Sequence, residues 1–167
     1  MKITIEEAKV KKAKPQPGTP LGFGKYFTDH MFLMDWTKEN GFENARIVPY
    51  GPISMDPASM VLHYAQETFE GMKAYRAKDG RILLFRPEMN AKRFINSNRR
   101  LCMAEVPVED FVEAVRAVVE YEQDWVPSEE GTSLYIRPFM FASEAAVGVH
   151  PAASYTFALI LSPVGAY

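Results

Sequence analysis

Cysteine is almost absent: Cys102 stands alone, so the chain has no internal disulfide to hold it together. Histidine is scarce too, and His30, His63 and His150 lie too far apart to give ligand spacing, so no metal site is expected. No apolar run approaches the roughly 20 residues needed to cross a bilayer, and no membrane association is expected. The first twenty residues lack an apolar core followed by small residues, which argues against a secretory signal and makes the cytoplasm the expected location. Charge of one sign is also missing: 19 basic and 21 acidic residues leave a net charge of -2, which excludes a broad basic field for nucleic acid. There is no G-x-S-x-G elbow and no phosphate-cradling P-loop, and Gly22-Phe23-Gly24 lacks the third glycine of a dinucleotide fingerprint.

What is present is apolar material. With 167 residues and 47% hydrophobic side chains, the chain can bury the core of one ordinary domain. Lys9, Lys11, Lys12 and Lys14 precede Pro15, Pro17 and Pro20 without apolar periodicity, so residues 1–22 read as a solvated leader and residues 23–167 as the domain. Phe23 to Trp36 is rich in aromatics and reads as a strand, and Gly41 to Asp56 follows as turns and short extended pieces. Two β-forming runs, Glu70 to Arg76 and Arg81 to Arg86, flank Lys78-Asp79-Gly80, and an Asp-Gly pair accepts the positive φ of a tight hairpin. Pro87 ends the second run. Glu88 to Leu101 then reads as a helix, acidic at its start and basic at Arg99 and Arg100, in accord with the helix dipole.

A second helix follows from the three- and four-residue spacing of Val108, Phe111, Val112, Val115, Val118 and Val119. Ser133 to Phe141 and Tyr155 to Leu161 complete the pattern as strands, the latter apolar enough to be buried on both faces. Strands outnumber helices and do not alternate with them. The expected fold is α+β, a largely antiparallel sheet with two or more helices packed on it.

Chemistry could lie at several positions. Arg93, beside Phe94 and Ile95 in the first long helix, can be a bidentate clamp for a phosphate or a snorkelling surface arginine. Strand alternation places Tyr135 and Arg137 on one face, where they can wall a carboxylate pocket or sit at a sheet edge ended by Pro138. His63 reads as a structural histidine and Cys102 as a buried core thiol.

Composition and spacing go no further than a globular α+β domain, but several segments do. Phe23-Gly24-Lys25-Tyr26-Phe27-Thr28-Asp29-His30-Met31, His63-Tyr64 and Phe69-Glu70-Gly71-Met72-Lys73-Ala74-Tyr75-Arg76 come first. Leu84-Phe85-Arg86-Pro87, Leu134-Tyr135-Ile136-Arg137-Pro138 and Ser162-Pro163-Val164-Gly165-Ala166-Tyr167 follow. In this order they resemble the branched-chain amino acid aminotransferases, from about Phe23 to the last residue. The resemblance implies the small N-terminal domain of a fold type IV pyridoxal-phosphate enzyme. In such an enzyme Arg93 would bind the cofactor phosphate, and Phe23, Tyr64, Phe69 and Tyr135 would line the pocket for the branched side chain. Arg137 would handle the distal carboxylate of glutamate or 2-oxoglutarate, while Val147 and Val149 would reach the neighbouring subunit's pocket in a homodimer.

The family's Schiff-base lysine has no counterpart among the lysines of this sequence. The resemblance therefore implies a part of the enzyme that is inactive alone, its full form exchanging an amino group between Leu, Ile or Val and 2-oxoglutarate. Other fold type IV enzymes, such as a D-amino acid aminotransferase or aminodeoxychorismate lyase, and a non-catalytic assembly module are the alternatives.

Overall fold

A computed structural model describes residues 1–166; Tyr167, the end of the Ser162–Tyr167 segment, lies outside them. Eight strands form a single sheet: β1 (Thr4–Ile5), β2 (His30–Thr37), β3 (Gly41–Pro49), β4 (Glu67–Phe69), β5 (Met72–Arg76), β6 (Ile82–Leu84), β7 (Ser133–Ala142) and β8 (Ser154–Val164). Three α-helices, α1 (Met60–Tyr64), α2 (Pro87–Arg100) and α3 (Val108–Tyr121), are interspersed with them. The strand order is β1-β3-β2-β8-β7-β5-β6, with β4 also on β7, and among the described residues only the β1–β3 pair is parallel. The expected α+β class and largely antiparallel sheet are what the chain forms.

The long central strands β2, β7 and β8 carry the core because their alternate residues serve two different faces. On one face Phe32, Phe157, Leu134, Ile136 and Leu161 are buried beneath α2 and α3. There α3 contributes Phe111, Val115 and Val118, three- and four-residue neighbours as the periodicity requires, and α2 contributes Ala91 and Phe94. On the opposite face a smaller cluster gathers Met31, Leu33 and Ala158 with half-buried Phe139 and Ile160. The hairpin expected around Asp79-Gly80 is present, with Ala74 opposite Leu84 and Arg76 opposite Ile82. Gly80 takes φ 88° in its turn.

Some expectations are corrected. The strand anticipated over Phe23 to Trp36 begins only at His30, because Gly22 and Gly24 adopt φ of 60° and 66° and break the extended run. Gly41 to Asp56 is not a set of short pieces: its first nine residues form β3, which absorbs one extra residue as a bulge at Asn44, φ 56°. Cys102 is exposed rather than a core thiol. After α2 ends, the chain turns through Cys102 at φ 55°, and the amide of Met103 bonds back to the Asn98 carbonyl at 2.9 Å, so Met103 is buried in its place.

The lysine-rich leader is packed rather than simply solvated. β1 runs alongside β3, and the Ala8 and Lys12 amides donate to the side chains of His30 and Asp29.

Candidate active site

The site is organised by an interruption in one strand. β4 and β5 pair with the same edge of β7 in a common register, since Phe69 faces Phe139 and Met72 faces Ile136. Extending that register sets Glu70 opposite Pro138 and Gly71 opposite Arg137. Pro138 has no amide hydrogen to give, so the ladder thins there, and the Glu70 amide donates to the Pro138 carbonyl at 2.8 Å. Alternation persists through the break: Thr68, Glu70, Met72 and Ala74 are buried toward the helices, whereas Phe69, Gly71, Lys73 and Tyr75 point to the other side.

On that other side four of the expected pocket residues meet. The Phe23 and Tyr135 rings are edge to face with centroids 4.7 Å apart. Arg137 donates from Nε and Nη2 to the Tyr135 hydroxyl oxygen at 3.2 and 2.8 Å. Its guanidinium carbon lies 4.5 Å from the centre of the Phe69 ring, a cation–π contact. Phe69 is 62% exposed and Phe23 41%, so this aromatic group opens outward instead of closing into the core.

Gly71 makes room for it, because a Cβ there would overlap the Tyr135 hydroxyl. Gly71→Ala is therefore expected to displace Tyr135 from Arg137 and to cost about 1–3 kcal/mol through overpacking. Urea unfolding of the variant checks the cost, and an unchanged midpoint would show that Tyr135 swings aside freely.

Tyr64, Val147 and Val149 form a separate group. The Tyr64 hydroxyl donates to the Val147 carbonyl, while the Val147 and Val149 side chains remain 66% and 84% exposed. Together with Met60 and Leu101, Tyr64 and Val149 border a groove beside α1. His63 caps the preceding turn through a 2.9 Å contact with the Pro57 carbonyl.

Arg93 stands apart from both groups, on the helix side of the sheet. Its Nε and Nη2 donate to the two carboxylate oxygens of Glu70, each at 2.6 Å. Asn90, one turn earlier, donates to the same carboxylate at 3.0 Å and to the Gly71 carbonyl at 3.3 Å. Burial pushes the Glu70 carboxyl upward, but the bonds from Arg93 and Asn90 outweigh it and hold the group below its ordinary value of 4.5. A depressed carboxyl contributes stability above its unfolded value and loses it as pH falls through the folded one, so this anchor stays ionised until well into acid. A cavity beside the break is lined by Gly71, Lys73, Phe85, Asn90 and Tyr135.

Glu70, Asn90 and Lys73 were not among the residues singled out from sequence. Glu70 left a signal: an acidic residue at a core-facing position between Thr68 and Met72 must have a partner for its charge. Lys73, directly opposite Tyr135, left the reverse signal, a cation on the face that carries Arg137.

No family model matches the sequence. Individual relatives do. Branched-chain-amino-acid transaminase 1 of Bacillus subtilis (strain 168) is 52% identical over 165 residues, which cover 99% of this chain and 46% of the relative. A solved T.th. branched-chain amino acid aminotransferase with pyridoxamine 5'-phosphate superposes with a TM-score of 0.59 at 28% identity, covering 80% of this chain and 40% of that one. The T.th. enzyme complexed with N-(5'-phosphopyridoxyl)-L-glutamate gives 0.54 at 30% identity, covering 75% and 40%.

A largely antiparallel sheet with helices on one face is thus the fold that this chain shares with part of the branched-chain aminotransferases. The chain belongs to the branched-chain amino acid aminotransferase family, and it spans less than half the length of the curated relatives it matches.

Proposed function

We propose that this chain supplies the side-chain pocket and one phosphate contact of a pyridoxal-phosphate-dependent enzyme that exchanges an amino group between Leu, Ile or Val and 2-oxoglutarate. The observation that carries the proposal is the contact of Phe69 and Tyr135 with Arg137, with Phe23 packed on the Tyr135 ring. Three aromatic side chains give an apolar surface for branched side chains, each buried CH₂ being worth about 0.8 kcal/mol. Arg137 lies against that surface, bonded to the Tyr135 hydroxyl and stacked on Phe69, without breaking its apolar character. When the distal carboxylate of glutamate enters, the guanidinium is already in place to receive it. The T.th. relative bound to a phosphopyridoxyl-glutamate supports the same duality.

Arg93 fits the phosphate of the cofactor. Glu70 occupies one edge of its guanidinium, and among the described residues no partner takes Nη1, so the outward edge remains free for an anion. Pyridoxal phosphate, when bound, supplies the electron sink for amino exchange. Exposure of Val147 and Val149 suits contacts made in trans in a homodimer, with the Tyr64 hydroxyl fixing the loop through the Val147 carbonyl. The other fold type IV activities are less favoured, because the relatives compared are branched-chain enzymes.

None of the lysines present matches the family's Schiff-base lysine, so the chain alone is proposed to be inactive. An absorbance titration with pyridoxal phosphate, borohydride reduction and intact mass tests this. The expected result is no stoichiometric reduced adduct. A single adduct at Lys73, which faces the Tyr135 position across the ladder, would overturn it.

In the full-length enzyme, Arg137→Gln is expected to lower kcat/KM for 2-oxoglutarate by about 10- to 100-fold, the worth of a charge-assisted hydrogen bond. Activity toward the branched 2-oxo acids should fall much less. Equal losses for both would remove Arg137 from carboxylate recognition.

A further inference from the structure

We infer that Glu70 is the positioning residue for Arg93: it grips one edge of the guanidinium and leaves the opposite edge aimed outward as a two-donor fork for a phosphate. This rests on the proposal that Arg93 binds the cofactor phosphate.

Glu70 is suited to be a fixed abutment. Its side chain is only 4% exposed, its amide is tied to β7 through Pro138, and Asn90 donates to its carboxylate from α2. Arg93, in contrast, is 67% exposed and would be free to adopt many rotamers if nothing held it. The carboxylate takes Nε and Nη2, the side edge of the planar group. One hydrogen of Nη1 and the second hydrogen of Nη2 then share the end-on edge, a two-donor fork that meets two oxygens of a phosphate. Because Glu70 and Gly71 form the break between β4 and β5, the same two residues would set the phosphate donor on one side and make room for Tyr135 on the other.

The competing role for Glu70 is that of a rival anion that merely neutralises Arg93. The two roles predict opposite signs when the charge is removed. Neutralising a rival tightens anion binding, whereas losing an abutment weakens it despite the more favourable field. The test uses the full chain, inorganic phosphate as probe and chloride at matched ionic strength as control. It follows the side-chain Nε–H resonances of the arginines, with Arg93 assigned by Arg93→Gln.

In the unsubstituted chain the Arg93 Nε–H signal should be slow to exchange, and it should remain so when phosphate is added, because Glu70 keeps its edge while Nη1 binds. Glu70→Gln should weaken phosphate binding about tenfold and speed Nε–H exchange; Glu70→Asp should restore part of both. Phosphate binding that tightens or is unchanged in Glu70→Gln, or loss of Nε–H protection on adding phosphate to the unsubstituted chain, overturns the positioning role. That last reading needs no variant to fold. If Arg93→Gln binds phosphate as well as the parent, or the Arg93 signals do not respond to phosphate, the reading of Arg93 itself fails instead.

Discussion

Replacing Glu122 by Ala should destabilise the chain by about 2–5 kcal/mol, the cost of leaving two buried donors without their acceptor at about 1–3 kcal/mol each. Glu122 is 3% exposed and His30 fully buried, and the carboxylate accepts from His30 Nδ1 and from the Asp29 amide at 3.1 Å. The Ala8 amide donates to His30 Nε2 at 2.9 Å, which assigns the ring proton to Nδ1 and fixes the imidazole as a one-way link from the N-terminal segment to the end of α3. Asp29 extends the network, accepting from the Lys12 amide at 2.7 Å and from Trp125 Nε1 at 3.0 Å. Without Glu122, two buried donors lose their acceptor together. In urea the midpoint should fall on the order of 2 M for a chain of this size.

Glu122→Gln preserves the shape and one acceptor, and should lose less. A cost below about 1 kcal/mol for Glu122→Ala would mean that water reaches the pair. Acid should act on the same mooring through Asp29. Burial raises the Asp29 carboxyl, but the Lys12 and Trp125 donors with the nearby Lys11 and His30 outweigh it, leaving the group below its ordinary 3.8. Its contribution is complete above that value and is lost only as pH falls through the lower folded one.

This network explains why Thr28-Asp29-His30 could be recognised as a motif but not assigned a role from sequence. All three side chains are buried; the Thr28 hydroxyl donates to the His30 carbonyl within the motif, but the partners of Asp29 and His30 lie elsewhere in the chain: Ala8 and Lys12 in the leader, Glu122 and Trp125 after α3. Local periodicity cannot report such pairings. It did report α3, whose valine spacing is set by one helix face, and the β5–β6 hairpin, whose turn demands Gly80. Tyr135 and Arg137 were legible for the same reason, being two residues apart on one strand. Arg93 was ambiguous because the residue that holds its guanidinium, Glu70, lies twenty-three residues earlier and across a strand break. Cys102 misled because the turn after α2 rotates it outward, which depends on where the helix ends and not on the apolar character of its neighbours.

The two faces of the sheet should separate stability from recognition. Phe157→Ala is expected to cost about 3–5 kcal/mol, and to lower Tm by about 10 °C in a chain of this length. Phe157 is fully buried and its ring meets those of Phe32, Phe94 and Phe111, with centroids 5.6 to 6.2 Å apart, so its removal opens a cavity where strand and both long helices converge. Phe69, by contrast, is 62% exposed on the opposite face. Phe69→Ala should move stability by no more than about 0.5 kcal/mol, while taking away the ring against which Arg137 stacks. Calorimetry on the pair decides the matter. A large cost at Phe69 would make the aromatic–arginine cluster a second core, and its exposure could then no longer be read as the open wall of a binding pocket.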